Sequence, residues 1–300
     1  MPGYLETYKS GKLRKKIEKA YENLKSCTLC PRNCKVNRLE GKLGICKVGK
    51  APMISSVNPH FGEEPPLVGK NGSGTIFLTG CNLLCLYCQN YEISHRLMGE
   101  EVSIEEFAGQ MLYLQKLGCH NINFVTPTHQ VPQILAALEI AIPKGLELPL
   151  VYNTGGYDSI FELKLMEGII DIYMPDFKYW DSEVARKYSG GARDYPEVAK
   201  AAFLEMQRQV GDLVINKEGI AEKGMLIRHL VLPEGLAGTA GVLHFIATEL
   251  SKDSYVNIMD QYRPCGEAWD HPPLNRRITH EEYQEAIEMA KKEGLHRGFR

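Results

Sequence analysis

The order of apolar and polar positions divides the chain into three parts. Residues 9–25 place Leu13, Ile17, Ala20, Tyr21 and Leu24 at helical spacing among lysines and arginine, which predicts a basic amphipathic helix. From Cys27 to about Gly72 the periodicity lapses and Gly, Pro and Cys take over, as in a segment organised around ligands rather than a core. Beyond Gly72, six β-rich runs (74–80, 121–126, 149–154, 171–176, 225–232 and 255–262) alternate with helical patterns at 103–118, 131–142, 158–168, 181–211 and 238–251. Ser103 with Glu106 and Thr279 with Glu282 read as capping boxes, the second opening a last helix to about Glu293. The resulting division is an N-terminal helix and Cys-rich subdomain over 1–72, a main unit over 73–265, and a C-terminal loop and helix over 266–300. Strand and helix alternating six times predict an α/β fold with a parallel sheet, and the pattern leaves a partial barrel and an open doubly wound sheet both open.

Composition narrows the function classes. Thirty-five Lys and Arg against 37 Asp and Glu give a net charge of −2, without the excess that marks a nucleic-acid or anionic-membrane binder. No apolar run approaches the roughly 20 residues that span a bilayer, and the N-terminus lacks a signal peptide's apolar stretch, so a cytoplasmic protein is expected. Seven of nine cysteines lie between positions 27 and 88. In a reducing compartment that density points to metal thiolates rather than disulfides.

Cys81, Cys85 and Cys88 form C-x3-C-x2-C directly after the first strand of the main unit. A structural zinc site wants four protein ligands, whereas a [4Fe–4S] cluster held by three cysteines keeps one iron for a non-protein ligand. The competing reading is a structural site completed by a distant thiol such as Cys119 or Cys265. A second group, Cys27, Cys30, Cys34 and Cys46, starts with CxxC and suits a tetrahedral sulfur centre of zinc or iron, or a second iron–sulfur cluster. The tight-turn residues of CPRNC favour a structural role there, and a relay role would require the two groups to lie close together. In the polar, turn-rich segment Asn58-Pro59-His60-Phe61-Gly62-Glu63-Glu64-Pro65-Pro66, hydrogen bonding between the two parts is expected, with lining of the substrate mouth by the His and the two Glu as the alternative.

At the C-x3-C-x2-C loop, with Tyr87 just before its last cysteine, the chain resembles the radical S-adenosylmethionine (SAM) superfamily. Over about residues 25–265, the segments CTLCPRNC, HFGEEPPLVGKNGSGTIFLTGCNLLCLYCQN, NFVTPTH and MPDFK make it similar to proteins related to pyruvate formate-lyase activating enzyme. The resemblance implies a partial (β/α)6 barrel. It also implies a [4Fe–4S] cluster on Cys81, Cys85 and Cys88, SAM on the unique iron, and reductive cleavage to methionine and a 5′-deoxyadenosyl radical. SAM contacts are expected at the C-terminal ends of later strands, from Thr126, Thr128, Asn153, Thr154, Asp176, Lys178 and Arg228. Two departures stand out. Thr126-Pro127-Thr128-His129 replaces the Gly-Gly-Glu that binds the methionyl amine, and Asn153-Thr154-Gly155-Gly156 replaces Asp-Thr-Asn-Gly, whose Asp helps hold a monovalent cation. Asp176 is the surviving charge, with Lys178 as its pairing partner. Alternation turns Arg228 and His229 to opposite sides of their strand, and Gln261, Tyr262 and Arg263 are expected at the substrate rim.

The function expected is a radical SAM enzyme fed by an external one-electron reductant such as flavodoxin or ferredoxin, with a glycyl radical protein as a possible substrate. The competing classes are an iron–sulfur electron carrier or metal-stapled binding module without SAM chemistry, and an RNA-modifying enzyme using the basic helix, with Lys15, Lys16 and Lys19 as its contacts.

Overall fold

The computed structural model describes residues 2–299; Met1 and Arg300, the outer ends of the first and last assigned segments, lie outside the described residues. In chain order the elements are α1 (Gly3–Lys9), α2 (Lys12–Asn23), β1 (Met53–His60), α3 (Pro65–Val68), β2 (Ser73–Leu78), α4 (Tyr91–Ser94), β3 (Glu100–Glu101), α5 (Ile104–Lys116), β4 (Ile122–Val125), α6 (Val131–Ala141), β5 (Leu150–Thr154), α7 (Ile160–Met166), β6 (Ile172–Pro175), α8 (Ser182–Tyr188), α9 (Tyr195–Val210), β7 (Val214–Ile215), β8 (Ala221–Leu230), α10 (Thr239–Phe245), β9 (Tyr255–Met259) and α11 (His280–Lys292). All six strands expected from the β-rich runs are present, and β2, β4, β5, β6, β8 and β9 pair in parallel in that order. The fold is an α/β partial barrel whose crossover helices cover the outside, with β1 antiparallel on β2 and β3 on β1 at one edge.

Side chains alternate across this sheet as a pleat requires. Phe124 meets Phe107 of α5 edge-on at 6.0 Å, which fixes the helix-covered face; Asn123 and Val125 therefore face the lumen. The lumen floor is apolar, built by Val151, Ile172, Met174 and Leu226 around Leu67. Leu67 is brought in by the connection from β1 to β2, which plugs the end of the barrel where the parallel strands begin.

The expected helices differ in their breaks. The pattern at 9–25 is carried by α2, preceded by a separate α1, because Gly11 takes a left-handed conformation that ends the first turn sequence. The stretch 181–211 is two helices, since Gly190 and Gly191 both have positive φ. The capping boxes at Ser103 and Thr279 are both formed. Leu13, Ile17 and Ala20 of α2 are buried against the barrel beside α6, so the apolar stripe is core, while Lys15 and Lys19 stay exposed. The aperiodic segment before Gly72 contains an eight-residue strand, β1, in the barrel sheet. Its sequence MISSVNPH shows no clean alternation because one edge of it is only lightly covered, and the division at Gly72 falls between two strands of one sheet.

Candidate active site

β2 ends at Leu78, and the chain after it turns over the mouth of the barrel carrying Cys81, Cys85 and Cys88. Each sulfur accepts one hydrogen bond: Cys81 from the Leu83 amide at 3.3 Å, Cys85 from the Ser189 hydroxyl at 2.9 Å, and Cys88 from the Ser94 hydroxyl at 3.3 Å. Burial pushes the Cys81 thiol up to about 12, with the neighbouring charges of Cys85 and Cys88 adding to it. Burial also raises Cys85, against the opposing effect of Lys178 and the Ser189 hydrogen bond. Thiolates here thus need added positive charge, which an iron–sulfur cluster supplies. Three cysteines on one loop whose sulfurs are each hydrogen-bonded fit a [4Fe–4S] cluster with one iron left open. Neither Cys119, buried in the core, nor Cys265 is placed among them by any contact; Cys265 sits on the segment whose Glu267 amide bonds the Leu86 carbonyl.

Beside this loop, four of the expected residues form one network. Asp176 follows β6 and Arg228 lies opposite it in β8; Arg228 Nε donates to Asp176 Oδ1 at 2.6 Å and its Nη2 to Asn153 Oδ1 at 2.8 Å, while Lys178 Nζ donates to Asp176 Oδ2 at 2.6 Å. Burial alone would raise Asp176, but Arg228 and Lys178 more than offset it and hold the carboxyl below its ordinary range. Burial likewise works against the charges on Arg228 and Lys178, and the Asp176 carboxylate raises both. His229 points outward, between the Phe177 carbonyl and the Thr239 hydroxyl, as alternation requires; burial lowers it to about 4, so it is neutral.

The surrounding glycines explain how closely these strand ends pack. Gly156 has positive φ, and a Cβ there would meet the Asp176 carbonyl at 2.5 Å. Tyr195 OH spans the same strand ends, donating within reach of the Gly155 and Asp176 carbonyls at 3.0 and 2.9 Å and accepting from the Lys178 amide at 2.7 Å.

The plug adds two carboxylates, for which bridging between parts of the chain was the first expectation and a place at the substrate mouth the alternative. Glu63 lies 3.5 Å and Glu64 3.8 Å from Arg228 Nη1, and Glu64 also accepts from Asn257 of β9 at 3.0 Å. Burial raises Glu63 to about 7, Arg228 opposing and Glu64 reinforcing it. Between its unfolded value near 4.5 and about 7 the folded protein therefore binds the extra proton, so this group makes stability fall as pH rises through that window. Glu63→Gln is expected to flatten that part of the profile and to raise stability above pH 7, read by urea unfolding across pH 5–8.

The threonines are placed differently from expectation. Thr128 and Thr154 hydroxyls both donate to the buried Asp158 carboxylate at 2.7 Å. Burial raises Asp158 to about 6, and these two hydrogen bonds oppose it. Thr126 closes β4 with φ 60° and gives its amide to the Asn153 carbonyl at 2.8 Å. Its left-handed backbone is costly for a β-branched residue, and the shape of the strand end rests on it. Tyr262 is also engaged, its buried phenol donating to the Leu274 carbonyl at 2.6 Å, so it does not line the rim freely.

The N-terminal cysteines gather on the back of the same loop. Cys27 and Cys46 are buried and Cys30 and Cys34 half-buried, and all are free of disulfides. Turns at Cys30 to Asn33 and Gly44 to Lys47 fold them together, and Gly44 leaves room for Cys34, whose sulfur would stand 2.9 Å from a Cβ there. Among the described residues no three His, Cys, Asp or Glu side chains converge on a point as the ligands of one metal ion would.

Asp158, Tyr195 and Ser189 went unseen in the sequence. An aspartate two residues after Gly-Gly or a serine before another Gly-Gly carries no spacing signal of its own, and Thr128 and Cys85 are 30 and 104 residues distant from them.

A six-stranded parallel partial barrel with three cysteines over its C-terminal mouth defines a class of cluster-binding barrel proteins. The chain carries a radical SAM superfamily domain, the family model matching residues 75–211. It is 32% identical over 300 residues to uncharacterized protein MJ0674 of Methanocaldococcus jannaschii, across 97% of this chain and 82% of that one, and 24% identical over 309 residues to uncharacterized protein MJ0808 of the same organism, across 94% and 81%. Among solved structures it is similar to a radical SAM methyltransferase from Sphaerobacter thermophilus, with TM-score 0.51 and 14% identity over 75% of this chain and 66%, just under two thirds, of that chain. That likeness concerns the fold. The family implies a [4Fe–4S] cluster and SAM. No helix among the described residues is long and apolar enough to cross a membrane.

Proposed function

We propose that this protein is an enzyme that cleaves SAM reductively and uses the resulting radical to take hydrogen from a substrate. The observation that carries the reading is the loop at the barrel mouth, where three hydrogen-bonded sulfurs stand next to a network of Asn153, Asp176, Lys178 and Arg228. Cys81, Cys85 and Cys88 would hold the cluster, which would supply the one electron for reductive cleavage of SAM to methionine and a 5′-deoxyadenosyl radical.

The chain's own part is binding and orientation. Lys178 and Arg228 supply the positive charge suited to the SAM carboxylate, and Asp176 holds both heads in place. Asn153 stands in place of a carboxylate and accepts from Arg228, so the positive charge beside it comes from the guanidinium. Thr126, Thr128 and Thr154 shape the strand ends that face SAM; the latter two act through Asp158. Reducing equivalents come from an external one-electron carrier of the flavodoxin or ferredoxin type.

The finer reading, activation of a glycyl radical protein, rests on the sequence resemblance and on two exposed side chains. Trp269 and Met98 lie on segments tied to the cysteine loop, at 62% and 58% exposure, and offer an apolar rim to a protein substrate.

The test is anaerobic reconstitution with iron and sulfide, reduction, addition of SAM, and assay of 5′-deoxyadenosine. Product formation that depends on reductant is expected. A fully reconstituted protein that makes none is an electron carrier or binding module instead.

A further inference from the structure

Arg38 is the largest fully buried side chain, 1% exposed. Its Nε and Nη2 donate to the Gly49 carbonyl at 3.2 and 2.8 Å, its Nη1 donates to the His129 carbonyl at 2.9 Å, and the same Nη1 stands 3.9 Å from Cys27 Sγ. None of these partners is a carboxylate. A guanidinium stays protonated in proteins, and burying it without negative charge costs several kcal/mol, about as much as a domain's whole margin. The groups beside it able to supply that charge are the thiols of the N-terminal cysteine cluster. Four neutral thiols would leave Arg38 uncompensated; four thiolates on a metal centre leave net negative charge facing it.

Two observations choose the kind of centre. A tetrahedral ion draws its sulfurs around one point, about 2.3 Å from each, and these four are not so drawn. The Cys81, Cys85 and Cys88 trio likewise does not converge on one point, and a cubane, with a different iron for each cysteine, does not require it to. The cluster also abuts the cysteine loop directly. Gly80, immediately before Cys81, has positive φ, and a Cβ there would meet the Cys46 carbonyl at 2.4 Å. Arg32, between Cys30 and Cys34, donates to the carbonyls of Asn82 and Leu83 at 2.6 and 3.1 Å. Lys35, Lys42 and Lys47 are exposed on the segment that carries these cysteines, as are Leu43 and Ile45, a basic and apolar stretch suited to an acidic electron carrier.

We propose that Cys27, Cys30, Cys34 and Cys46 hold a second iron–sulfur cluster, with Arg38 as its counter-ion, through which the electron for SAM cleavage enters. The proposal rests on the reading of Cys81, Cys85 and Cys88 as the SAM cluster. One electron leaves the external carrier, reduces the N-terminal cluster, and passes on to the SAM cluster, returning the first to its oxidised state. Zinc, which has no redox chemistry, could not take that place.

The experiment compares anaerobically reconstituted wild type with two variants by iron, sulfide and zinc analysis and by electron paramagnetic resonance with and without SAM. The Cys81→Ala, Cys85→Ala, Cys88→Ala triple variant is expected to keep half the wild-type iron and sulfide, with a signal that SAM does not perturb. The Cys30→Ala, Cys34→Ala variant is expected to lose that half and keep the SAM-perturbed signal. Zinc without sulfide in the triple variant, or no metal in it, overturns the proposal. If either variant fails to fold, wild type decides: two cubanes' worth of iron with one SAM-insensitive signal supports it, and one cubane's worth overturns it. A wild type with no SAM-perturbed signal at all would instead remove the reading of the barrel site. Arg38→Met in the triple variant is expected to move the remaining cluster to a more negative potential, and Arg38→Lys to restore most of it. An unmoved potential overturns the counter-ion role.

Discussion

Cys85→Ala is expected to abolish SAM cleavage, with 5′-deoxyadenosine falling to the level of protein-free controls, and to remove the SAM-sensitive cluster signal. The reason is coordination arithmetic. Three cysteines are the fewest that hold a cubane while leaving one iron open, so the loss of one leaves two anchors and a second exposed iron. Cys85 is the most informative of the three because it is the most buried and because its sulfur receives the Ser189 hydroxyl while its charge lies within reach of Lys178. Ser189→Ala is the graded companion. It deletes one hydrogen bond to the sulfur and is expected to leave the iron content unchanged while lowering the cluster's potential, since the donor stabilises the more negative reduced form. Cleavage persisting in Cys85→Ala, measured by product against iron content, would contradict the assignment of the loop.

The second large effect is on stability. Arg228→Met is expected to cost about 3–5 kcal/mol, the scale for removing one partner of a buried ion pair, because it strands Glu63 and Glu64 in the lumen and leaves Asp176 with Lys178 alone. Thermal unfolding should fall by roughly 10 °C on that scale. The sign of its pH dependence follows from Asp176. Arg228 and Lys178 depress that carboxyl below its ordinary value, so the stabilisation is present above the ordinary carboxylate range and is lost as pH falls through the folded value. The gap between wild type and Arg228→Met should therefore narrow on acidification. Adding Glu63→Gln to Arg228→Met should recover part of the loss by removing one of the stranded charges. An Arg228→Met protein as stable as wild type at pH 8 would show that the network is not the buried, coupled unit described.

Local chemistry made much of this legible. The parallel strands were visible as β-rich runs, and helix starts such as Ser103 and Thr279 were visible as capping boxes, because both signals act over a few residues. The three cysteines declared themselves by spacing for the same reason. The register of Asp176 with Arg228 was half legible: each sat at a strand end or within a strand, and only the pairing of β6 with β8 put one opposite the other. Other features were hidden. MISSVNPH gave no strand signal, since an edge strand with one lightly covered face needs no alternation, and the split of α8 from α9 depended on two glycines whose left-handed conformations are a choice, not a necessity, of that residue.

The amino-acid order by itself determined the strand and helix succession, the thiol groups and the charge carriers, because each depends on neighbours in the chain. Only the folded barrel decided which carboxylates would face Arg228, that Thr128 and Thr154 would spend their hydroxyls on Asp158, and that Cys46 would rest on Gly80. Those pairings join residues up to 165 positions apart, and burial sets their strength, which exists only once water has been excluded from the closed sheet.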